Sequence, residues 1–358
     1  MEYLWQFYLL VFVVFIQGML CIIKQEKVYL SITFMELFFI SAFRASSVGN
    51  DTESYMQIFQ SAIIIPNNYM ENGFILFNKL LIGISQNPQA ILITTSFIIL
   101  VGIFYFIKTF SISYVVSLIC LIVCGHYGFF LSGIRNSMAL SITAISTIFI
   151  VKRQFILFLL CVVLATSFHT SAIFFIPIYF IYNWEFKIKN LSAIIIVTLI
   201  ILLFFTQFTE LVLDLFNNRY EVYLGNRILS EETKIASIFK TIIPFVIFAF
   251  YYLTYKAFER GIKSKKFPMR IEFLLLMSLI TFCLYLISIN ATILERIGRY
   301  YDIFIIISLP YFISLYPRNI RLLIICIIVI CFIIYQTIIF VYRPDWNYIL
   351  PYRFCFYK

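Results

Sequence analysis

Charged residues stand at the ends of apolar segments in this chain, where they could act on an anionic substrate. Arg135 lies in Gly133-Ile134-Arg135-Asn136-Ser137, at the end of one such segment. Arg296 and Arg299 are three residues apart, so a helix would place them on one face together with Tyr300. A guanidinium group binds phosphate or carboxylate through two parallel hydrogen bonds. We therefore expect these arginines to bind a group such as diphosphate.

Three further side chains could move a proton, namely His169, Asp51 and Glu71. His169 could accept a proton as a neutral base, or support a departing diphosphate as a cation. The two carboxylates are the rival bases. We favour His169 as the cationic partner and a carboxylate as the base, and no acidic residue is evident near His169. Asp51 would also cap a short helix that begins at Thr52.

The elements that position these residues are membrane helices. The chain is 63% hydrophobic and only 12% charged, against about 25% charged residues in an ordinary globular protein. Apolar blocks of about 18 residues or more are long enough to cross a bilayer as helices. We predict an all-α polytopic membrane protein with about 12 transmembrane helices (10–14), short or re-entrant helices, outward-facing loops and one domain, 1–358. The predicted spans are 3–23 (a retained first span rather than a signal peptide), 28–43, 89–107, 112–130, 134–151, 154–169, 171–183, 191–208, 238–256, 271–289, 300–316 and 321–341. Segment 72–86 is predicted to be interfacial or re-entrant, and 154–183 to be a broken hairpin containing Pro177.

The distribution of basic residues predicts the orientation. Lysines concentrate in the loops near 24–27, 108, 152, 187–189 and 256–270, which the positive-inside rule places in the cytoplasm. Segments 44–71, 209–237 and 290–299 and both termini then face outwards. The arginines on that outer side are Arg44, Arg135, Arg219, Arg227, Arg296, Arg299, Arg343 and Arg353. Orientation requires only positive charge, so this preference for arginine favours a binding site over ordinary surface ion pairs.

Several classes of function lack their sequence signals. The net charge of +10 falls in short loops rather than on one polar face, so it does not indicate nucleic acid as a partner. There is no Walker loop, dinucleotide fingerprint, nucleophile elbow or cluster with metal-site spacing. We expect no cofactor and no metal. A substrate that already carries a good leaving group and already lies in the bilayer, such as a polyprenyl diphosphate-linked glycan, fits this chain, because arginine can stabilise the departing diphosphate.

An ordered set of motifs resembles the EpsG family of bacterial exopolysaccharide proteins, which are related in role to Wzy polymerases. The motifs are Phe43-Arg44 through Thr52-x-x-Tyr55, Glu71-Asn72-Gly73-Phe74 with Asn78, Gly133-Ile134-Arg135-Asn136-x-x-Ala139, Phe168-His169-Thr170-Ser171-Ala172, Arg296 through Tyr300, and Pro351-Tyr352. Asn136 stands where glutamine is expected in many relatives.

The resemblance implies a metal-independent glycosyltransferase that joins lipid-linked repeat units outside the bacterial cytoplasmic membrane, working with other assembly proteins such as a chain-length regulator. It implies catalytic roles for His169, Asp51 and Glu71. The substrate-binding residues that it implies are Arg44, Asn78, Arg135, Arg296, Arg299 and Tyr300.

Three other functions stay open. A flippase for the same lipid-linked glycan suits twelve spans, although transporters often show two related halves, and none is evident here. A membrane acyltransferase would need a histidine–carboxylate pair, which we do not expect at His169. An accessory protein of polysaccharide assembly would tolerate the loss of Arg135 and His169.

Overall fold

The computed structural model describes residues 3–21, 26–61, 70–215, 231–262, 267–289 and 294–356, and this part of the chain is almost entirely helical. The helices in chain order are α1 (Leu4–Cys21), α2 (Glu26–Ala42), α3 (Thr52–Ser61), α4 (Asn72–Ile82), α5 (Gln89–Phe110), α6 (Tyr114–Val123), α7 (His126–Ser132), α8 (Ile134–Val151), α9 (Phe155–Phe168), α10 (Ile178–Ile181), α11 (Ile188–Leu203), α12 (Phe205–Leu215), α13 (Glu231–Ile262), α14 (Ile271–Ser288), α15 (Glu295–Asp302), α16 (Ile305–Ile313) and α17 (Arg318–Tyr342). Short 3₁₀ helices cover Thr170–Phe175 and Pro344–Trp346. The predicted all-α membrane fold is confirmed.

The predicted count of twelve spans is not confirmed. Among the described residues, five helices are long and apolar enough to cross a membrane: Gln89–Phe110, Ile134–Val151, Ile238–Glu259, Ile271–Ser288 and Arg318–Tyr342. Two bent helix pairs raise that number to seven if each pair is one span. Shorter apolar helices, among them Leu4–Leu20 and Phe155–Phe168, lie within other predicted spans, and Asn72–Ile82 is the segment that was predicted not to be a span.

Three predicted spans are interrupted. Segment 112–130 is two helices, α6 and α7, bent by 53° at Gly125, whose φ of +84° suits glycine. Segment 191–208 bends by 89° between α11 and α12. Segment 300–316 is divided between α15 and α16, and the charged residues of α15 line a cavity. The hairpin 154–183 is broken at His169 as predicted.

Helix α8 lies deep in the bundle, because small residues let its neighbours approach. Ala139 and Ser141 are fully buried, and Gly102 of α5 packs so closely that a Cβ there would lie 2.8 Å from the Cβ of Ser141. Small residues permit such close helix packing. Arg135 lies in the first turn of this closely packed helix.

Helices α5 and α8 each finish near a lysine, and each begins near another polar side chain. The end where they begin is called the polar end of the bundle. Gln89, at the start of α5, donates a hydrogen bond to the carbonyl oxygen of Ala42 (2.7 Å), and α5 finishes beside Lys108. Helix α8 begins beside Arg135 and finishes at Lys152. At about 1.5 Å per residue, the two ends lie roughly 27–33 Å apart. The lysine-rich loops and the arginine-rich segments therefore occupy opposite ends of these helices.

A strap formed by residues 343–356 closes the polar end of the bundle. The amide of Ala45 donates to the carbonyl oxygen of Arg353 (2.9 Å), and the amide of Cys355 donates to that of Phe43 (2.8 Å). The Asn50 side chain donates to the carbonyl oxygens of Asp345 (2.9 Å) and Trp346 (3.0 Å). The strap is thus fixed to the loop that follows α2.

Gly49 is the tightest point of that loop and gives a first prediction. Its φ is +96°, and a Cβ there would lie 2.2 Å from the carbonyl oxygen of Leu131. We expect Gly49→Ala to cost at least about 1–2 kcal/mol, because an L-residue is strained in this conformation and the added methyl group clashes with backbone. The check is the melting temperature in detergent. Gly261→Ala is the matched control, since a Cβ there meets nothing within 4 Å. Equal melting temperatures for the two variants would contradict the prediction.

Candidate functional site

A cavity of about 730 Å³ lies at the polar end of the bundle. Its walls come from the loop before α3, the segment before α4, the junction of α7 and α8, the break at His169, and from α13, α15, α17 and the strap. The polar residues that line it include Asn50, Asp51, Glu71, Arg135, Asn136, His169, Lys240, Glu295, Arg296, Arg299, Asp302 and Asp345. Segments that the charge pattern assigns to one side of the membrane thus meet at one cavity.

Glu71 is the centre of a hydrogen-bond network in this cavity. One carboxylate oxygen, Oε2, accepts from Arg135 Nη1, and Arg135 Nε donates to the Tyr55 hydroxyl at 2.9 Å. The other oxygen, Oε1, lies 3.2 Å from His169 Nδ1 and accepts from the backbone amide (3.3 Å) and hydroxyl (3.1 Å) of Thr170. One carboxylate thereby fixes both the guanidinium and the imidazole.

The expectation that His169 has no acidic neighbour is wrong. Glu71 lies 98 residues earlier in the chain and reaches His169 because α4 packs against α9, and a Cβ on Gly73 would lie 2.3 Å from Ser167 Oγ. Such a contact depends on helix packing rather than on sequence spacing. The histidine–carboxylate pair that an acyltransferase would need is therefore present at His169.

Burial and the hydrogen-bond network keep Glu71 ionised and His169 neutral. Burial opposes ionisation of Glu71, but the hydrogen bond from His169 and the charge of Arg135 outweigh it and hold the pKa of Glu71 well below its usual range. Burial lowers the pKa of His169 to about 4, and the Glu71 carboxylate opposes that shift only in part. Near pH 7 His169 is therefore neutral. With Nδ1–H donating to Glu71, Nε2 is left as an acceptor.

His169 Nε2 is buried and has no hydrogen-bond partner among the described residues. His169 itself lines the cavity. A neutral imidazole that is oriented by a carboxylate and keeps one free acceptor nitrogen has the arrangement of a general base. The geometry therefore favours the base over the cationic partner, which reverses the preference drawn from the sequence.

Asp51 is the rival base and stands just before α3, which begins at Thr52 as predicted. Its backbone oxygen accepts from the Tyr55 amide (2.9 Å), but its carboxylate makes no hydrogen bond within the described part of the chain. Burial raises the pKa of Asp51, while the charges of Arg296 and Arg135 act against this shift. A higher pKa makes a carboxylate a stronger base. Asp51 suits that role better than Glu71, whose pKa is lowered.

A second charged group on the cavity wall is centred on Glu295. It accepts from Lys240 Nζ (2.5 Å) and from Arg299 Nη2 (2.6 Å). Burial opposes ionisation of Glu295, but the two cations outweigh it and lower its pKa to about 2. The guanidinium carbon of Arg299 also lies over the ring of Phe129, 4.4 Å from the centre of the ring. This group is held by its own ion pairs, and Arg296, on the same helix, lies close enough to Asp51 to affect its pKa.

Three of the predicted binding residues do not line the cavity. Arg44 is 1% exposed and donates to the Ser41 carbonyl oxygen and to Thr52 Oγ1. Asn78 is buried and donates to the carbonyl oxygen of Phe74. Tyr300 is fully buried, with its hydroxyl 3.2 Å from that of Ser171. The structure brings together Asp51, Glu71, Arg135, His169, Arg296 and Arg299, and it places these three in the supporting packing.

Three cavity residues were not predicted from the sequence to belong to the site. Lys240 is a lone lysine at the start of an apolar segment, a signal that could have marked it. Trp346 of the strap lies with its ring 4.2 Å from Lys240 Nζ. Asn136 follows Arg135 directly. Among the described residues, no three histidine, cysteine or carboxylate side chains are grouped as metal ligands.

Comparison with known proteins identifies one family. The model of the EpsG family matches residues 27–354, nearly the whole chain. The match spans all the segments that form the cavity. No curated protein and no solved structure matches the chain.

Proposed function

Because the chain belongs to the EpsG family of Wzy-like polysaccharide polymerases, we propose that it joins polyprenyl diphosphate-linked oligosaccharide repeat units. Family membership assigns the chain a polymerase-type role in exopolysaccharide biosynthesis. The lipid-linked substrate and the extracytoplasmic face of the bacterial cytoplasmic membrane are the further content of the proposal. The observation that carries it is the network in which Glu71 orients both Arg135 and His169 at one cavity.

The proposed reaction needs a base for the acceptor hydroxyl, donors that stabilise the departing diphosphate, and a residue that holds these groups in position. The cavity has a group for each of these tasks. The acceptor hydroxyl attacks the anomeric carbon, a new glycosidic bond forms, and the bond to the diphosphate oxygen breaks. His169 Nε2 accepts the hydroxyl proton, or Asp51 does so. Arg135 and Arg296 stabilise the charge that develops on the diphosphate, since fixed donors aimed at developing charge lower the barrier. Glu71 keeps Arg135 and His169 in position and acts as a positioning residue.

A flippase is the main alternative. A transporter needs to bind a lipid-linked glycan but has no need of a neutral imidazole whose free nitrogen is oriented by a carboxylate. An accessory protein needs neither the oriented imidazole nor the carboxylate that orients it. The oriented imidazole at His169 is the feature that favours an enzyme over both alternatives.

Reconstitution tests the proposal. Purified protein in proteoliposomes, supplied with lipid-linked repeat units from the producing strain, should lengthen the glycan into a ladder of products. A flippase would move the lipid across the bilayer without lengthening it. Absence of longer products, from a folded sample that also fails to bind the lipid, would refute the polymerase proposal.

The orientation of the protein gives a second prediction. Ser47 lies in the exposed part of the loop before α3, and the Lys187 side chain is 69% exposed in the segment before α11. In a cysteine-free background, we expect Ser47→Cys to react with a membrane-impermeant maleimide in intact cells. Lys187→Cys should react only after permeabilisation, because lysine-rich loops face the cytoplasm. The reverse pattern would invert the topology.

A further inference from the structure

We propose that Asn136 is a specificity residue that binds the sugar attached directly to the diphosphate; this inference rests on the proposed function. Asn136 is in the first turn of α8, next to Arg135, and lines the cavity. It is 4% exposed, and neither Nδ2 nor Oδ1 has a hydrogen-bond partner among the described residues. Buried polar atoms of native proteins are nearly always hydrogen-bonded, so both atoms need a partner that the chain itself does not supply.

Asn136 offers two different kinds of hydrogen-bonding group to a ligand. In the structure neither its amide nitrogen nor its amide oxygen has a partner among the described residues. The nitrogen can only donate and the oxygen can only accept. The site therefore presents one donor group and one acceptor atom side by side.

That combination selects the chemistry of the ligand. Ionised phosphate oxygens only accept hydrogen bonds, so a diphosphate would satisfy Nδ2 and leave the carbonyl oxygen facing negative charge. A sugar hydroxyl both donates and accepts, and an acetamido group offers one donor and one acceptor. Guanidinium groups, in contrast, only donate. The arginines thus suit the diphosphate, whereas Asn136 suits the sugar beside it.

The position of Asn136 indicates which sugar. Arg135 and Asn136 are consecutive residues at the beginning of α8, where the first backbone amides have no intrahelical acceptor. A diphosphate held by Arg135 places its attached sugar within reach of the next residue. Asn136 would then bind the first sugar of the repeat unit, at the reacting end, rather than sugars further along the glycan.

Ser137 is a matched control supplied by the chain. It follows Asn136, is fully buried, and its Oγ likewise has no hydrogen-bond partner among the described residues. Unlike Asn136, it does not line the cavity. Ser137→Ala therefore reports what the loss of a buried unpaired polar atom does to the bundle without touching the ligand.

The experiment measures the binding of two probes to full-length protein in nanodiscs. The probes are undecaprenyl diphosphate and the lipid-linked repeat unit extracted from the producing strain. For Asn136→Leu we expect the Kd of the repeat unit to rise about 10- to 100-fold, because polar groups of the bound sugar lose their partner. The Kd of undecaprenyl diphosphate should stay within about twofold. The melting temperature without ligand should be equal or higher, since two unpaired buried polar atoms are removed.

The outcomes separate this inference from the proposed function. Ser137→Ala should leave both Kd values unchanged. If Asn136→Leu weakens both probes equally, or weakens neither, the assignment to the sugar is overturned; the second result would mean that water alone satisfies the amide. If the wild-type protein binds neither probe, the proposed function itself fails.

Discussion

Arg135→Lys should reduce polymerisation about 100-fold while leaving a folded protein. Arg135 donates to two groups at once, through Nε to the Tyr55 hydroxyl and through Nη1 to Glu71. A lysine ammonium keeps the charge but lacks the planar fork, so it cannot hold both groups in this geometry. The variant loses a diphosphate donor and also the support that aligns Glu71 with His169. The measurement is the rate of product formation in proteoliposomes, together with the melting temperature.

Arg318→Lys is the control for this substitution. Arg318 is exposed and begins α17, away from the cavity. The same chemical change there should leave the rate within about twofold, since surface substitutions have small effects. Near-normal polymer from Arg135→Lys at normal expression would remove Arg135 from the diphosphate site.

His169→Gln should reduce kcat/KM about 100-fold or more and should abolish the acid limb of the pH profile. The pKa of His169 is lowered to about 4, so the imidazole is neutral above that pH. A neutral base is lost as the pH falls through its pKa, so wild-type kcat/KM should be level near neutrality and decline as the pH approaches 4. A cationic diphosphate partner would instead lose activity as the pH rises.

Asp51 requires its own variant, because burial raises its pKa and a base at Asp51 would also produce an acid limb. If His169 is the base, Asp51→Asn lowers the rate but keeps the acid limb. If the limb disappears only in Asp51→Asn, the base is Asp51. Wild-type-like turnover by His169→Gln would exclude His169 from catalysis. Melting temperatures at each pH distinguish lost catalysis from acid unfolding.

Local patterns predicted the helices well and the partnerships between residues poorly. The apolar blocks predicted the ends of α5, α8 and α14 to within three residues, because length and hydrophobicity are local properties. The ends of apolar blocks also pointed to Arg135 and His169. The role of Glu71 as their shared partner depends on the packing of α4 against α9, which no local pattern contains.

The arginines illustrate the same limit. Arg44 and Arg135 both stand at the ends of apolar segments and both match the family motifs. Only the fold shows that Arg44 is enclosed by Ser41 and Thr52, whereas Arg135 reaches the cavity. Asn136 was named only as a motif position and not as a site residue, because an unpaired amide can be recognised only when its surroundings are known.

The strap has a consequence for biogenesis. The contact between Asn50 and Asp345 joins positions 295 residues apart. At about 5–20 residues per second, a ribosome needs roughly 15–60 s to travel that distance. Glu71, Arg135 and His169 are synthesised within that interval, before the strap that forms one wall of their cavity. The nascent protein therefore passes through a stage with an open half-site, and the ability to enclose a substrate appears only late in translation.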